Sequence, residues 1–277
     1  MTRYALNPAT PVLARPDGTV QVGWDPRRAV VVHPPPGMSP TVTAELLRTL
    51  QGAATTPDLQ RIAAGRGADT AVVPDLISHL VRCGVVTKAP RAHSRAQRIR
   101  VHGAGPLSDL LTASLRCSNV RLSNSTRTNA STGRADLVVL TDYLVADPRL
   151  VRDLHDAGVA HLPVRVRDGT GLVGPLVIPG TTSCLRCADL HRSDRDAAWP
   201  ALAAQLCHTV GNADRATVLA TAALALNEID RVTRALRGDA TQDPASLPST
   251  LDTTLEFDVA RGAVQARRWS RHPECSC

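Results

Sequence analysis

The chain reads as an α/β protein in two parts, and three observations carry that expectation. The first ninety residues run through short β-prone stretches and then through helical ones. From about Arg100 onward, apolar strand-like runs alternate with helical segments. Between the two lies "KAPRAHSRAQRIR" (Lys88 to Arg100), a basic stretch with the composition of a solvated linker. The boundaries expected from this are 1–88, a linker at 89–99, and 100–277. The chain is 277 residues long and 43% hydrophobic, enough to bury a real core, but only 2% aromatic, so Val, Leu, Ile and Ala must fill it.

The leading part reads as three strands followed by three helices. "TPVLARPDGTVQVGW" holds two β-prone runs around Pro16-Asp17-Gly18, where proline presets φ and glycine accepts positive φ. "AVVVH" supplies a third strand. Ser39-Pro40 offers an N-cap with proline in the first turn of a helix that stops at Gly52, and Thr56-Pro57 opens a second. A third runs roughly from Asp69 to Cys83, with Val72, Leu76, Leu80 and Val81 along one side. Strands with a three-helix unit of this size suggest a winged-helix-like domain, for which two uses compete. In DNA reading the third helix enters the major groove, yet here it opens with Asp69, Thr70 and Asp75, which suit neither base edges nor phosphate. In peptide capture a segment joins the edge of the small sheet, at Val30, Val31 and Val32, and lays apolar side chains against Leu76 and Leu80. The second use is favoured; a purely structural role is the plain alternative.

The second part opens with "RIRVHGAGPLSDLLTASLRCSNVRLSN": a strand, a turn at Gly103 and Gly105, a helix to about Cys117, and a second strand from Val120. This is the opening of a Rossmann-like unit, in which such glycines let backbone approach a pyrophosphate at the helix N-terminus. Ser108 replaces the third glycine of that fingerprint. "ADLVVLTDY" reads as a buried parallel strand delivering Asp142 at its carboxyl end. A helix in "PRLVRDLHDAG", a strand in "HLPVRVRDG" and a short strand at "LVI" follow. Then come a long helix from about Arg215 to Arg237 and a hairpin around Arg261-Gly262.

Cys184 and Cys187 stand at CxxC spacing, and "HPECSC" supplies Cys275 and Cys277 at the end of the chain. Four thiolates in two tight pairs form the ligand set of a closed structural zinc site, with no position left for a catalytic water. A redox CxxC, or His272 in place of one cysteine, are the alternatives. Cys83, Cys117 and Cys207 are expected to be buried small hydrophobes. Seven cysteines without an export signal point to a reducing cytoplasm, and no stretch is apolar enough to span a bilayer. The net charge of +7 owes much to the linker, which argues against nucleic acid as the partner.

These features together resemble the E1-like, ThiF-type adenylating fold. More specifically, "GPLVIPGTTSCLRCADLHRSDRDAAWPALAAQL" with "RHPECSC" looks like the actinobacterial cyclodehydratase-type ThiF proteins, also described as leader-peptide-binding proteins of thiazole/oxazole-modified peptide pathways. The resemblance covers nearly the whole chain. It implies a peptide recognition element in the leading domain, a separate ATP-dependent modifying enzyme as partner, and a homodimer. Adenylating members hold ATP with a glycine loop, a ribose-binding acid, a lysine and arginines, and a magnesium-binding aspartate. Of these, Gly103, Gly105 and Asp142 match as cofactor-binding positions. No carboxylate lies between Asp109 and Asp136, however, and the sole lysine, Lys88, precedes the first strand. "SNSTR" (Ser123 to Arg127) resembles the family's Ser-Asn-x-x-Arg but falls too early. Losing the lysine and the acid argues against a working ATP and magnesium site. The chain is therefore not expected to catalyse by itself; a true adenylyltransferase and a DNA-binding regulator are the rival functions.

One stretch stays open. "ADLHRSDRDAAWP" carries His191, Arg192, Asp194, Arg195 and Asp196 just before Trp199. Either an aspartate caps a helix that begins near Trp199, or Arg192, Arg195 and Trp199 form a surface that docks a partner enzyme.

Overall fold

Residues 1–89, 95–126, 135–238 and 247–277 are described by the computed structural model, which divides into two units, Met1–Ser94 and Arg95–Cys277. In the first unit, β1 (Arg3–Leu6), β2 (Val12–Ala14), β3 (Val20–Val22) and β4 (Val30–Val32) precede α1 (Pro40–Leu50), β5 (Ala54–Thr55), α2 (Thr56–Gly65), α3 (Val73–Arg82) and β6 (Val86–Lys88). Two three-stranded sheets result, in the orders β2-β3-β4 and β5-β1-β6. The β2-β3 turn closes as the sequence predicts: Gly18 takes φ +81°, and the Asp17 carboxylate accepts from the Thr19 amide at 3.0 Å. Ser39 caps α1 through the Val42 amide, and Thr55 and Asp58 form a capping box on α2.

The second sheet of this unit is a departure from the three strands expected. β1 is a four-residue stretch whose partners, β5 and β6, lie fifty and eighty positions further along, so no local pattern announces it. Helix α3 also starts later than Asp69. The Asp69 carboxylate accepts from the Ala71 amide and bends the chain into a turn, and the helix begins only where Pro74 can occupy its first turn.

The second unit is built on one seven-stranded sheet, in the order β13-β12-β11-β10-β9-β7-β8. Its parallel part comprises β7 (Gln97–His102), β8 (Val120–Ser125), β9 (Leu137–Thr141) and β10 (His161–Arg167). Antiparallel β11 (Thr170–Val173), β12 (Thr253–Asp258) and β13 (Ala263–Arg268) extend it. Helices α4 (Pro106–Leu115) and α8 (Arg215–Leu236) cover one face with a core of Ile99, Val101, Leu111, Val139, Val164 and Ile229. On the other face, α5 (Pro148–Asp156) and α6 (Leu185–Ser193) enclose Val138, Leu140, Leu154, Val177, Cys184 and Cys187. A short α7 (Trp199–Leu206) follows α6.

Three expectations are corrected here. The linker does not reach residue 99: Gln97 to Arg100 already belong to β7, and Gln97, Ile99 and Arg100 are buried. The strand expected at "LVI" makes only single bridges, Val177 to His161 and Leu176 to Leu251. The hairpin β10-β11 takes its place beside β10, closing through Asp168 and Gly169, both at positive φ. Finally, Cys83 and Cys117 are exposed and Cys207 is half-buried, because each sits at a helix end, where the chain turns outward, rather than on an apolar stripe.

Candidate functional site

The four cysteines predicted as ligands converge. Cys184 is the N-cap of α6 and Cys187 lies one turn in, so the helix start presents both sulfurs to one side. The chain end returns with Cys275 and Cys277. The Sγ atoms stand 3.7 Å apart for Cys184–Cys187, 3.6 Å for Cys184–Cys275 and 3.4 Å for Cys187–Cys277. All four lie within 4.8 Å of one another. Zinc–sulfur bonds of about 2.3 Å in a tetrahedron require sulfur separations of about 3.8 Å, so the cluster is compatible with a structural zinc site. Burial pushes the Cys184 thiol well up. It opposes ionisation of Cys187 too, but backbone hydrogen bonds from His272 and Cys184 and the neighbouring sulfurs outweigh it and bring that thiol down to about 7. A thiolate is thus accessible near neutrality, as metal capture requires.

His272 is not a fifth contender for the metal. Its Nδ1 accepts from the Glu274 amide at 3.1 Å, which leaves Nε2 to donate to Asp194 at 2.8 Å. His191 packs edge-on against its ring at 4.7 Å and reaches the Ser270 carbonyl. Together these contacts fasten the tail to the end of α6, beside the cysteines.

The glycine turn has a different occupant from the one the sequence suggests. Gly103, Gly105 and Asp142 do come together, but onto each other. The Asp142 carboxylate is buried and accepts from the Leu107 amide at 2.9 Å and the Ser108 amide at 3.2 Å, the first free N–H groups of α4. A Cβ on Gly105 would lie 2.8 Å from an Asp142 oxygen. One on Gly103 would lie 2.6 Å from the Thr141 carbonyl. The glycines therefore make room for Asp142. The positive end of α4, where a nucleotide fold offers its amides to phosphate, is already filled by the protein's own anion. The three residues expected at a cofactor site are thus neighbours at the start of α4, with Asp142 on its leading amides. Of "SNSTR", Ser123 to Ser125 lie on β8, and Arg127 falls outside the described residues.

The charged run divides its labour. Asp194 holds His272, and Asp196 accepts from the Ala198 amide in the turn before α7. Arg192 and Trp199 turn inward, both half-buried and both bonded to Asp189, at 2.8 and 3.2 Å. The Arg192 guanidinium lies over the Trp199 ring at 4.9 Å and the Trp269 ring at 5.3 Å. Of the three residues expected on a docking surface, Arg195 is exposed and Arg192 and Trp199 are half-buried. Trp269 and Asp189 were not legible as members of this cluster. The one signal was Arg165 and Arg167 alternating along an otherwise buried strand.

In the first unit, β4 is an edge of its sheet, with Val31 42% exposed and Val32 buried. Leu76 and Leu80 face the other way. They are 8% and 1% exposed and belong to the core that α3 builds with α1 and α2, so they offer little surface to a ligand. Ser78, His79 and Arg82 form the outward side of α3.

No known family model matches the chain, and no curated protein matches it. Solved structures do. A structure described as "Heterocyclase in complex with substrate and Cofactor" matches with a TM-score of 0.68 and 16% identity, over 100% of this chain and 39% of that one. The heterocyclase TruD matches at 0.67 with 17% identity, over 100% and 42%. E. coli MccB with ATP matches at 0.56 with 10% identity, over 99% of both chains. The fold is shared with these proteins, and the chain spans about two-fifths of the heterocyclases it resembles.

Proposed function

We propose that this chain is the peptide-handling component of a heterocyclase-type modification system. In this reading the first unit captures a leader peptide as an added strand, and the second is a zinc-stapled scaffold of the E1/ThiF type. A separate ATP-dependent enzyme, a cyclodehydratase acting in thiazole and oxazole formation, performs the chemistry. The observation that carries the proposal is the match of the entire chain to less than half of each heterocyclase, one of them described with a substrate bound. The remaining part of those proteins lies outside the matched region, and in this reading a separate enzyme supplies its chemistry.

The state of the glycine turn supports the division of labour. An adenylating site needs the α4 amides and a positively charged clamp for a triphosphate. Here Asp142 occupies the amides, and no lysine follows Lys88. The exposed β4 edge supports peptide capture, since its free backbone groups can pair with an extended segment while Val31 supplies an apolar contact. Four thiolates on zinc hold the tail against α6 and leave the metal no open position for catalysis.

The likeness to MccB with ATP, which extends over nearly all of both chains, favours the second reading, an adenylyltransferase acting on a peptide or protein C-terminus. Two measurements separate the readings. Fluorescence anisotropy with short peptides encoded beside this chain should show binding, weakened about tenfold by Val31→Asp. ATP–pyrophosphate exchange with the same peptides should stay at background. Robust exchange would establish the second reading. Absence of peptide binding would remove the first. Sedimentation analysis tests the homodimer that the E1-like fold leads us to expect.

A further inference from the structure

The second unit contains a cavity of about 550 Å³, set between the sheet, α5, α6 and α7. That volume lies in the range of sites for small organic ligands, roughly 300–1,000 Å³. Its walls carry charge out of balance. Arg152, Arg165, Arg167, Arg186 and Arg192 line it against two carboxylates, Asp168 and Asp189, with Glu256 and Arg267 close by. Asp189 is taken by Arg192 at 2.8 Å, and Glu256 is shared between Arg167 at 3.7 Å and Arg267 at 3.9 Å. Arg165, half-buried on a central strand of the seven-stranded sheet, lines the cavity and has no hydrogen bond or ion pair among the described residues. Burial, then the neighbouring charges of Arg192 and Arg167, bring its guanidinium down to about 10 against the opposing pull of Asp189 and Glu256, so at neutral pH it remains a cation. An incoming anion would give this partly desolvated cation a direct charge-assisted partner.

A second observation points the same way. Helix α7 has the sequence WPALAAQL, yet none of its residues is buried. Trp199 and Leu206 face the cavity from this helix, so its apolar underside looks onto open space rather than onto packed side chains. Val145, Val151 and Leu185 line the opposite walls. Arg192, clamped between two indoles and tied to Asp189, stiffens one side of the space.

We propose that this cavity is a binding site for a small organic anion, whose carboxylate or phosphate head pairs with Arg165 while its apolar body lies under α7. The proposal does not rest on the peptide reading, because every residue it uses belongs to the second unit and none to the β4 edge. The Asp142-filled turn takes no part in it either.

Titration calorimetry on the full chain tests it with three probes: 1-naphthoate, 1-naphthyl phosphate and the neutral 1-naphthylmethanol. At least one anion should bind about tenfold or more tightly than the alcohol, the advantage expected of a charge-assisted pair. Tighter binding of the naphthoate identifies a carboxylate head, and of the naphthyl phosphate a phosphate head. Arg165→Gln should abolish the advantage and leave alcohol affinity unchanged, whereas Arg195→Gln, on the exposed side of the turn, should change neither. Arg165→Lys, which keeps the charge, should restore part of the preference. Filling the space with Leu206→Trp should weaken all three probes and provides a second variant should Arg165→Gln not fold. Equal binding of anions and alcohol to the wild-type chain, or no binding of any probe at millimolar concentration, would overturn the proposal.

Discussion

Asp142 shows how one side chain can redirect a familiar motif. It sits at φ +70°, a conformation aspartate tolerates better than most residues, and from there its carboxylate reaches the two leading amides of α4. Hydrogen bonds from buried amides to a charged acceptor are worth about 1.5–3 kcal/mol each. Asp142→Ala should therefore cost roughly 2–4 kcal/mol in urea unfolding, and Asp142→Asn less, because the amide oxygen still accepts. His161 offers a second test at this scale. It is fully buried, its Nδ1–H donates to the Val159 carbonyl at 3.0 Å, and its Nε2 has no partner among the described residues. Burial holds its folded-state value down to about 4, against 6.5 in the open chain. The unfolded chain thus binds the extra proton first. Stability should be unaffected above pH 6.5 and fall as pH drops from 6.5 toward 4, by up to about 3 kcal/mol. His161→Phe should flatten that part of the profile measured by thermal melting; an unchanged slope would assign it to other groups. None of this could be read from "AHLPV", since burial of a histidine is decided by what covers it.

At the scale of elements, two tethers hold segments that have little core of their own. Glu228 is buried on α8 and accepts from Ser249 Oγ at 2.6 Å, the Thr250 amide at 3.1 Å and Thr250 Oγ at 2.9 Å. It pins the approach to β12 against the helix. Glu228→Ala should leave these donors unmatched, destabilise the second unit by roughly 3 kcal/mol, and speed hydrogen exchange at Thr250 before it reaches the centre of α8. The cysteine cluster is the other tether. Elemental analysis should find one zinc per chain. Cys277→Ser should lower that content and open the segment after Trp269 to proteolysis, with β12 and β13 remaining paired. The elements themselves were largely legible beforehand. Ser39-Pro40, the Pro16-Asp17-Gly18 turn, the long α8 and the terminal hairpin are all local signals, and they appear where predicted. β1 and β11 were not, because their partners rather than their own residues make them strands.

For the molecule as a whole, each unit has its own hydrophobic core: one formed by Leu46, Leu47, Leu59 and Leu80, the other spread over both faces of the large sheet. Separate cores predict separate melting. Calorimetry should resolve two transitions, and a chelator should shift only the one belonging to residues after Arg95. A single transition that moves as one with metal would mean the units fold together. The mixed α/β class and the convergence of CxxC with the terminal CxC were available from the amino-acid order alone. Composition, caps, turns and periodicity act over a few residues, and ligand chemistry is carried by residue type. Tertiary structure decided what those residues meet. The glycine turn closes on Asp142, Arg192 and Trp199 meet over Asp189, and Arg165 has no ion pair among the described residues. Such outcomes join positions far apart in the chain, Leu107 with Asp142 and Arg192 with Trp269, and contacts at that separation are set by packing the entire sheet, which no local window contains.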